Sequence, residues 1–132
     1  MRAVADTHTA IWYLWEPDNL SPKAVKAMDE SMEADERVGL SSITLCEVIY
    51  LGEKERIRGD AFELFMDAIR AADGPFEEVP LDSGVASMMR SIPRSLIPDM
   101  PDRIIAATAL FRRVPLITKD RRIRDSVVPT IW

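Results

Sequence analysis

Apolar positions along this chain follow two rhythms that take turns, short runs suited to extended backbone and longer stretches at helical spacing. Arg2 to Ala5 reads as a strand and leads into Thr7 to Trp15, where Ala10, Ile11, Leu14 and Trp15 fall on one helical face. Pro17-Asp18-Asn19 breaks that pattern. Ser21 and Pro22 then supply an N-cap and a first-turn proline for a helix to about Met32, with an acidic, exposed end. Arg37 to Leu40 reads as a second strand, and Ser41 and Ser42 cap a helix from about Ile43 to Arg56. After the turn at Gly59, Asp60-Ala61-Phe62-Glu63 has the form of a capping box, and Phe62, Phe65, Met66 and Ile69 form the stripe of the next helix. Gly74-Pro75 ends it, Phe76 to Leu81 reads as a third strand, and Asp82 caps a short helix carrying Val85, Met88 and Met89. A loop between Pro93 and Pro98 precedes a helix from Asp99 to about Arg113, with strands expected at Pro115 to Lys119 and Val127 to Ile131.

Strands that alternate with helices at this spacing imply crossover connections, and hence a parallel sheet covered on both faces. The expected class is α/β, a single domain over residues 1–132 without repeats or low-complexity linkers. In open sheets of this kind ligands bind beyond the carboxyl ends of the strands, which is where Asp6 and Asp120 fall.

Four carboxylates interrupt otherwise apolar or neutral stretches. Asp6 follows the first strand, Glu47 lies within Ile43 to Leu51, Asp102 precedes Arg103-Ile104-Ile105-Ala106-Ala107-Thr108-Ala109, and Asp120 follows Pro115-Leu116-Ile117-Thr118-Lys119. Ile43, Glu47 and Leu51 recur every four residues with Tyr50 beside them, so the stripe expected to enter the core contains an acid. Each acid alone has a plain structural role: Asp6, Asp99 and Asp102 suit helix starts, Asp120 a turn, and Glu47 a core-edge ion pair. Together they conflict, because two carboxylates about 4 Å apart repel by ~4 kcal/mol at an effective dielectric near 20. A divalent cation removes that conflict. An all-oxygen donor set points to Mg²⁺ or Mn²⁺ rather than zinc, and such ions promote phosphodiester hydrolysis. Thr118, two residues before Asp120 on the same strand face, is placed to orient a ligand carboxylate or a water. His8 stands near a helix start, where a lone histidine is a capping or surface residue by default, and it is not assigned to the site.

Charge refines the picture. The chain carries a net charge of -5, yet residues 101–132 hold seven Lys and Arg against three Asp. Arg112, Arg113, Lys119, Arg121, Arg122 and Arg124 are therefore placed to surround an acidic site with groups that grip phosphates, with Arg103, Lys119, Arg121 and Arg122 as the candidate contacts, against the plainer expectation of a solvated face. With 47% hydrophobic residues and no apolar run of about 18, neither disorder nor a membrane span is expected. Met1 leads directly into a strand with no secretory leader pattern, so the expected compartment is the cytoplasm. The single cysteine, Cys46, excludes an internal disulfide, and its place among Leu45, Val48 and Ile49 predicts a buried thiol without a catalytic role.

The ordered pieces Val4-Ala5-Asp6-Thr7-His8, Leu45-Cys46-Glu47-Val48, Pro101-Asp102-Arg103 through Ala109, Leu116-Ile117-Thr118-Lys119-Asp120 and Thr130-Ile131-Trp132 cover most of the chain. In that order and spacing they resemble the PIN domain, in particular the ribonuclease toxins of VapBC-type toxin–antitoxin pairs. Met100 stands where that family has a proline after Asp99, with Pro101 one place later. The resemblance implies a three-layer sandwich around a central parallel sheet of about five strands. It also implies Mg²⁺- or Mn²⁺-dependent endoribonuclease activity, a homodimer, and inhibition by a cognate antitoxin protein. It carries Asp6, Glu47, Asp102 and Asp120 over as the catalytic, metal-holding acids, with Asp99 and Thr118 in support.

An antitoxin segment would need an apolar groove, for which Trp12, Trp15, Tyr50 and Phe62 are candidates, although core packing is the default role of each. Two alternatives stand beside the nuclease. A haloacid-dehalogenase-like phosphatase also begins with a strand ending in Asp, but its second Asp is replaced by His8. A non-catalytic RNA- or protein-binding module would use the acids only as helix caps.

Overall fold

The computed structural model describes residues 1–132. Five short strands form one parallel sheet in the order β3-β2-β1-β4-β5, with β1 Val4–Ala5, β2 Val38–Ser41, β3 Phe76–Val79, β4 Leu116–Ile117 and β5 Thr130–Ile131. Val4 faces Gly39 on one side and Leu116 on the other, and Ala5 faces Ile117. The helices are α1 Thr7–Trp15, α2 Pro22–Glu33, α3 Ser42–Glu53, α4 Ala61–Arg70, α5 Ser83–Met88, α6 Met100–Arg112 and α7 Arg121–Arg124.

Alternate strand residues face opposite layers, as the two-residue period requires. Ala3, Ala5, Val38, Leu40 and Ile117 join Met28, Val48, Phe65 and Phe76 beneath α1 to α4, whereas Val4 and Leu116 join Ile92, Ile97, Ile105, Ala106 and Ala109 beneath α5 and α6. The result is a three-layer α/β sandwich. Both faces of the sheet are covered, which explains why β1, β2 and β4 are buried at every position, while the edge strand β3 exposes Glu77 and Glu78. Ile104 to Ala109 of α6 are all buried, and the small alanines let that helix lie close to the sheet. Arg113, in the left-handed region at φ 58°, ends α6.

The chain runs from β1 outward through β2 and β3, then returns to β4 on the other side of β1. The crevice between the carboxyl ends of β1 and β4 is therefore the point where the strand order reverses, and ligands favour such a point. Outside it, Arg37 ties the far edge together: its guanidinium donates to the carbonyls of Ile69, Ala71, Ala72 and Phe76, joining the end of α4 to β3.

Several expectations need correction. Asp60 does not cap α4, because its carboxylate takes two hydrogen bonds from Arg58 at 2.6 and 3.0 Å. Strand β3 stops at Val79 because Pro80 has no N–H for the ladder, and β5 is confined to Thr130–Ile131 because residues before it turn over Ser126 and leave Val127 exposed. Cys46 is exposed rather than buried. The same rotation of α3 puts Thr44, Leu45 and Val48 in the core, leaving Ile43, Glu47 and Leu51 half-buried at its edge and Tyr50 59% exposed. Trp15 packs edge-on against Phe65 at 5.5 Å and Phe62 is half-buried, so core packing holds for these two aromatics and not for Tyr50. No helix is long and apolar enough to cross a membrane.

Candidate active site

Asp6 is the first residue beyond β1, and its backbone N–H still donates to Ile117 O of β4 at 3.2 Å. Its Oδ1 accepts the Thr9 N–H at 2.8 Å, so the carboxylate that leaves the sheet also starts α1. Asp120 repeats the arrangement beyond β4, accepting the Arg122 N–H at 2.9 Å to start α7. Asp99 caps α6 by accepting the Asp102 N–H at 3.0 Å, which sets Asp102 in the first turn of that helix. Glu47 comes from the middle of α3 and accepts a 2.6 Å hydrogen bond from the Thr7 hydroxyl.

These elements bring Asp6, Glu47, Asp102 and Asp120 to one open cavity of about 380 Å³, whose other walls are Thr7, His8, Trp12 and Lys119. The acids sense one another. Loss of hydration pushes the Asp102 carboxyl up to about 7, with further upward pressure from Asp99, Asp120, Glu47 and Asp6. Burial likewise raises Glu47, against the Thr7 hydrogen bond that holds it back, and the charges of Asp99 and Asp6 add to the rise. Asp6 is raised by burial and restrained by hydrogen bonds from Thr118 and Thr9. None of the four makes an ion pair, the salt bridges lying at Glu36, Lys26–Glu30 and Arg58–Asp60. This is a concentration of negative charge that a cation would relieve.

The donor set fits a hard divalent ion: Asp6, Glu47, Asp102, Asp120 and Thr7 offer oxygen, His8 is the single imidazole on the wall, and no thiol lines it. As they stand, no three Asp, Glu, His or Cys side chains are grouped tightly enough to hold an ion by protein ligands alone. Mg²⁺ retains several waters in its sites, so a few direct carboxylates suffice.

A family model described as PIN domain matches residues 3–126. The chain belongs to the PIN domain family. Among curated proteins, Ribonuclease VapC22 of Mycobacterium tuberculosis is 34% identical across 96% of this chain and 95% of that protein. The fold matches VapBC2 from Rickettsia felis, solved bound to a DNA fragment from its promoter, at a TM-score of 0.73 and 12% identity over 98% of this chain and 97% of that one. It also matches a toxin–antitoxin complex from Klebsiella pneumoniae, at 0.66 and 21% over 98% and 96%. Membership of this family sets aside the dehalogenase-like phosphatase.

In this PIN domain the four expected acids share the cavity, and neither of the two supporting residues lines it. Thr118 is fully buried; its hydroxyl hydrogen-bonds the Asp6 carboxylate and accepts the Asp120 N–H at 3.0 Å, so it orients two of the acids from behind, while Asp99 acts through the α6 cap. Of the four basic candidates, Lys119 lines the cavity and Arg121 and Arg122 are exposed on α7. Arg103 is not available for phosphate, because its guanidinium donates to Ile92 O at 3.0 Å and Met89 O at 2.9 Å and so anchors the loop before α6. Sequence reasoning missed Thr7. Its position directly after Asp6 was the available signal, but only the packing of α1 on α3 brings it to Glu47.

Proposed function

We propose that this PIN domain is an endoribonuclease that uses Mg²⁺ or Mn²⁺, acting as the toxin of a toxin–antitoxin pair and held inactive by a cognate antitoxin protein. The observation that carries the proposal is the meeting of Asp6, Glu47, Asp102 and Asp120 at one cavity with none of them in an ion pair. Family membership and the 34% identity to a ribonuclease support the choice of substrate. The toxin–antitoxin complexes among its structural neighbours support the partner.

The four carboxylates would hold the cation, which when bound supplies positive charge to polarise a phosphodiester and a water beside it. The protein's own groups do the rest. Thr7 keeps Glu47 turned toward the cavity, and Thr118 restrains Asp6 and receives the Asp120 amide. Without the cation the Asp102 carboxyl is pushed up to about 7, and a bound cation would return it to the ionised form. Lys119, Arg121 and Arg122 offer exposed positive charge to the RNA backbone without sequence preference.

The caps made by Asp6, Asp99 and Asp120 favour a second reading, a non-catalytic binding module. Capping leaves Glu47 unexplained and does not account for the gathering of Glu47 and Asp102 in one place where burial and neighbouring acids raise both carboxyls. The test is cleavage of fluorescent RNA by the purified protein with Mg²⁺, Mn²⁺ or EDTA. Asp6→Asn, Glu47→Gln, Asp102→Asn and Asp120→Asn should each lower the rate by at least about 100-fold and weaken Mn²⁺ binding, since such an ion contributes several kcal/mol to the transition state. Undiminished cleavage by an Asp6→Asn/Asp102→Asn double variant, or in EDTA, would reject the site.

A further inference from the structure

Among the eight residues around the acidic cavity Trp12 alone is hydrophobic, and no acid chemistry calls for it. It lies on the α1 face that begins just after Asp6, half-buried, with His8 one turn earlier at 5.7 Å between ring centroids. Trp132 packs against it at 6.1 Å with the rings inclined by 56°, which supports the indole from just beyond β5. The Lys119 ammonium stands over the Trp12 ring at 5.8 Å from its centroid.

Lys119 shows how this wall is used. It sits beside four carboxylates yet makes no ion pair, the salt bridges of the chain all lying elsewhere. An exposed cation at nearly 6 Å from a ring is held weakly, so it is free to leave. A nucleobase gains more from the same surface, because stacking on an aromatic side chain is among the strongest contacts available to single-stranded nucleic acid and accepts any base. The cavity, at about 380 Å³, lies within the range of ligand pockets, roughly 300–1,000 Å³.

We infer that the cavity face of Trp12 is a stacking platform for an unpaired nucleobase next to the phosphate addressed by the acids, with Lys119 passing from the ring to that phosphate. The inference rests on the nuclease proposal and adds the form of its substrate: RNA in which the base beside the target phosphate is splayed out of any helix. A paired base has both faces covered by its neighbours and cannot lie on the indole.

The test measures binding of the full chain to a fluorescein-labelled single-stranded RNA 12-mer, with Ca²⁺ replacing Mg²⁺, and to a series in which each 12-mer carries one abasic position. Trp12→Ala should bind intact RNA about 5- to 150-fold more weakly, the range for loss of one stacked base, and Trp12→Phe should recover most of that affinity. One abasic RNA should bind wild-type protein as weakly as intact RNA binds Trp12→Ala, and the two losses should not add. Under cleavage conditions KM should rise with kcat nearly constant. Circular dichroism of the variants checks that the fold persists, and Trp12→Leu, which fills the space without an aromatic face and should bind as weakly as Trp12→Ala, carries the test if Trp12→Ala does not fold. An affinity unchanged in Trp12→Ala or Trp12→Leu, or a loss that simply adds to that of every abasic RNA, overturns the platform and returns Trp12 to packing or to a protein contact. Trp12-dependent binding without cleavage in Mg²⁺ or Mn²⁺ would instead defeat the nuclease proposal and leave the platform standing.

Discussion

The Thr7 hydroxyl donates to Glu47 Oε1 at 2.6 Å, and through it the start of α1 holds the middle of α3. Thr7 Oγ1 also lies 3.1 Å from Thr44 Oγ1. Because the single Thr7 proton is committed to Glu47, Thr44 must be the donor in that second contact. The chain Thr44 to Thr7 to Glu47 is thus directed from the buried core toward the cavity, and each bond polarises the next.

Thr7→Val keeps the shape of the side chain and removes the hydroxyl. We expect a loss of about 1–3 kcal/mol in urea unfolding, because Glu47 and Thr44 both lose a partner. The Glu47 carboxyl, no longer restrained, should rise further, moving the acid limb of the pH–rate profile upward. Thr7→Ser should leave both close to wild type. Equal stability and identical pH profiles for Thr7→Val would contradict the role given to this bond.

The raised carboxyls also make stability depend on pH. Asp102 moves from 3.8 to about 7 on folding, and Asp6 and Glu47 move in the same direction, so the folded chain binds more protons than the unfolded chain between these limits. Stability of the metal-free protein is then highest below the unfolded values and falls as pH rises through the folded ones. Thermal melts in EDTA should show the midpoint dropping between about pH 4 and pH 7, and saturating Mn²⁺ should restore it at neutral pH. Asp102→Asn should flatten the metal-free slope. A midpoint that rises across this window would show the acids to be compensated within the protein.

Arg37 serves stability alone, with its guanidinium directed to four carbonyls on the edge farthest along the sheet from β4. Arg37→Met should cost about 2–4 kcal/mol in urea unfolding, given ~1.5–3 kcal/mol for a charged hydrogen bond and incomplete additivity. Cleavage by the folded fraction should not change. A fall in kcat at full folding would place Arg37 in the function after all.

Arg103 and Arg121 separate anchoring from phosphate contact. Arg103→Ala frees the Met89 and Ile92 carbonyls and should lower stability by about 1.5–3 kcal/mol while leaving the salt dependence of RNA binding unaltered. Arg121→Ala should leave stability intact and reduce the slope of log K against log salt by about one, the signature of one lost phosphate contact. The reverse pattern in salt titrations would exchange their roles.

Local patterns in the chain were enough to place β1 to β4 and α1 to α6 to within a few residues, because capping side chains such as Ser21, Asp82 and Asp99 declare helix starts wherever the chain happens to pack. Asp60 shows the limit of such signals: it carries the cap sequence, but a neighbouring Arg58 outcompetes the backbone for its carboxylate. Helix α3 shows another. A four-residue stripe names a face, yet which side of that face meets the sheet depends on neighbours from other segments, so Cys46 emerged at the surface and Glu47 at the edge of the cavity.

Composition and periodicity by themselves determined the α/β class, the order of the elements and the identity of the acids, since each of these is written within a few consecutive residues. Tertiary structure decided that residues 6, 47, 102 and 120 open onto one cavity, that Thr7 holds Glu47, that Arg103 is consumed by backbone carbonyls, and that Trp12 and Lys119 face the acids. Those facts depend on distances between segments far apart in the chain. They are set by how α1, α3 and α6 pack around β1 and β4, which no local pattern records.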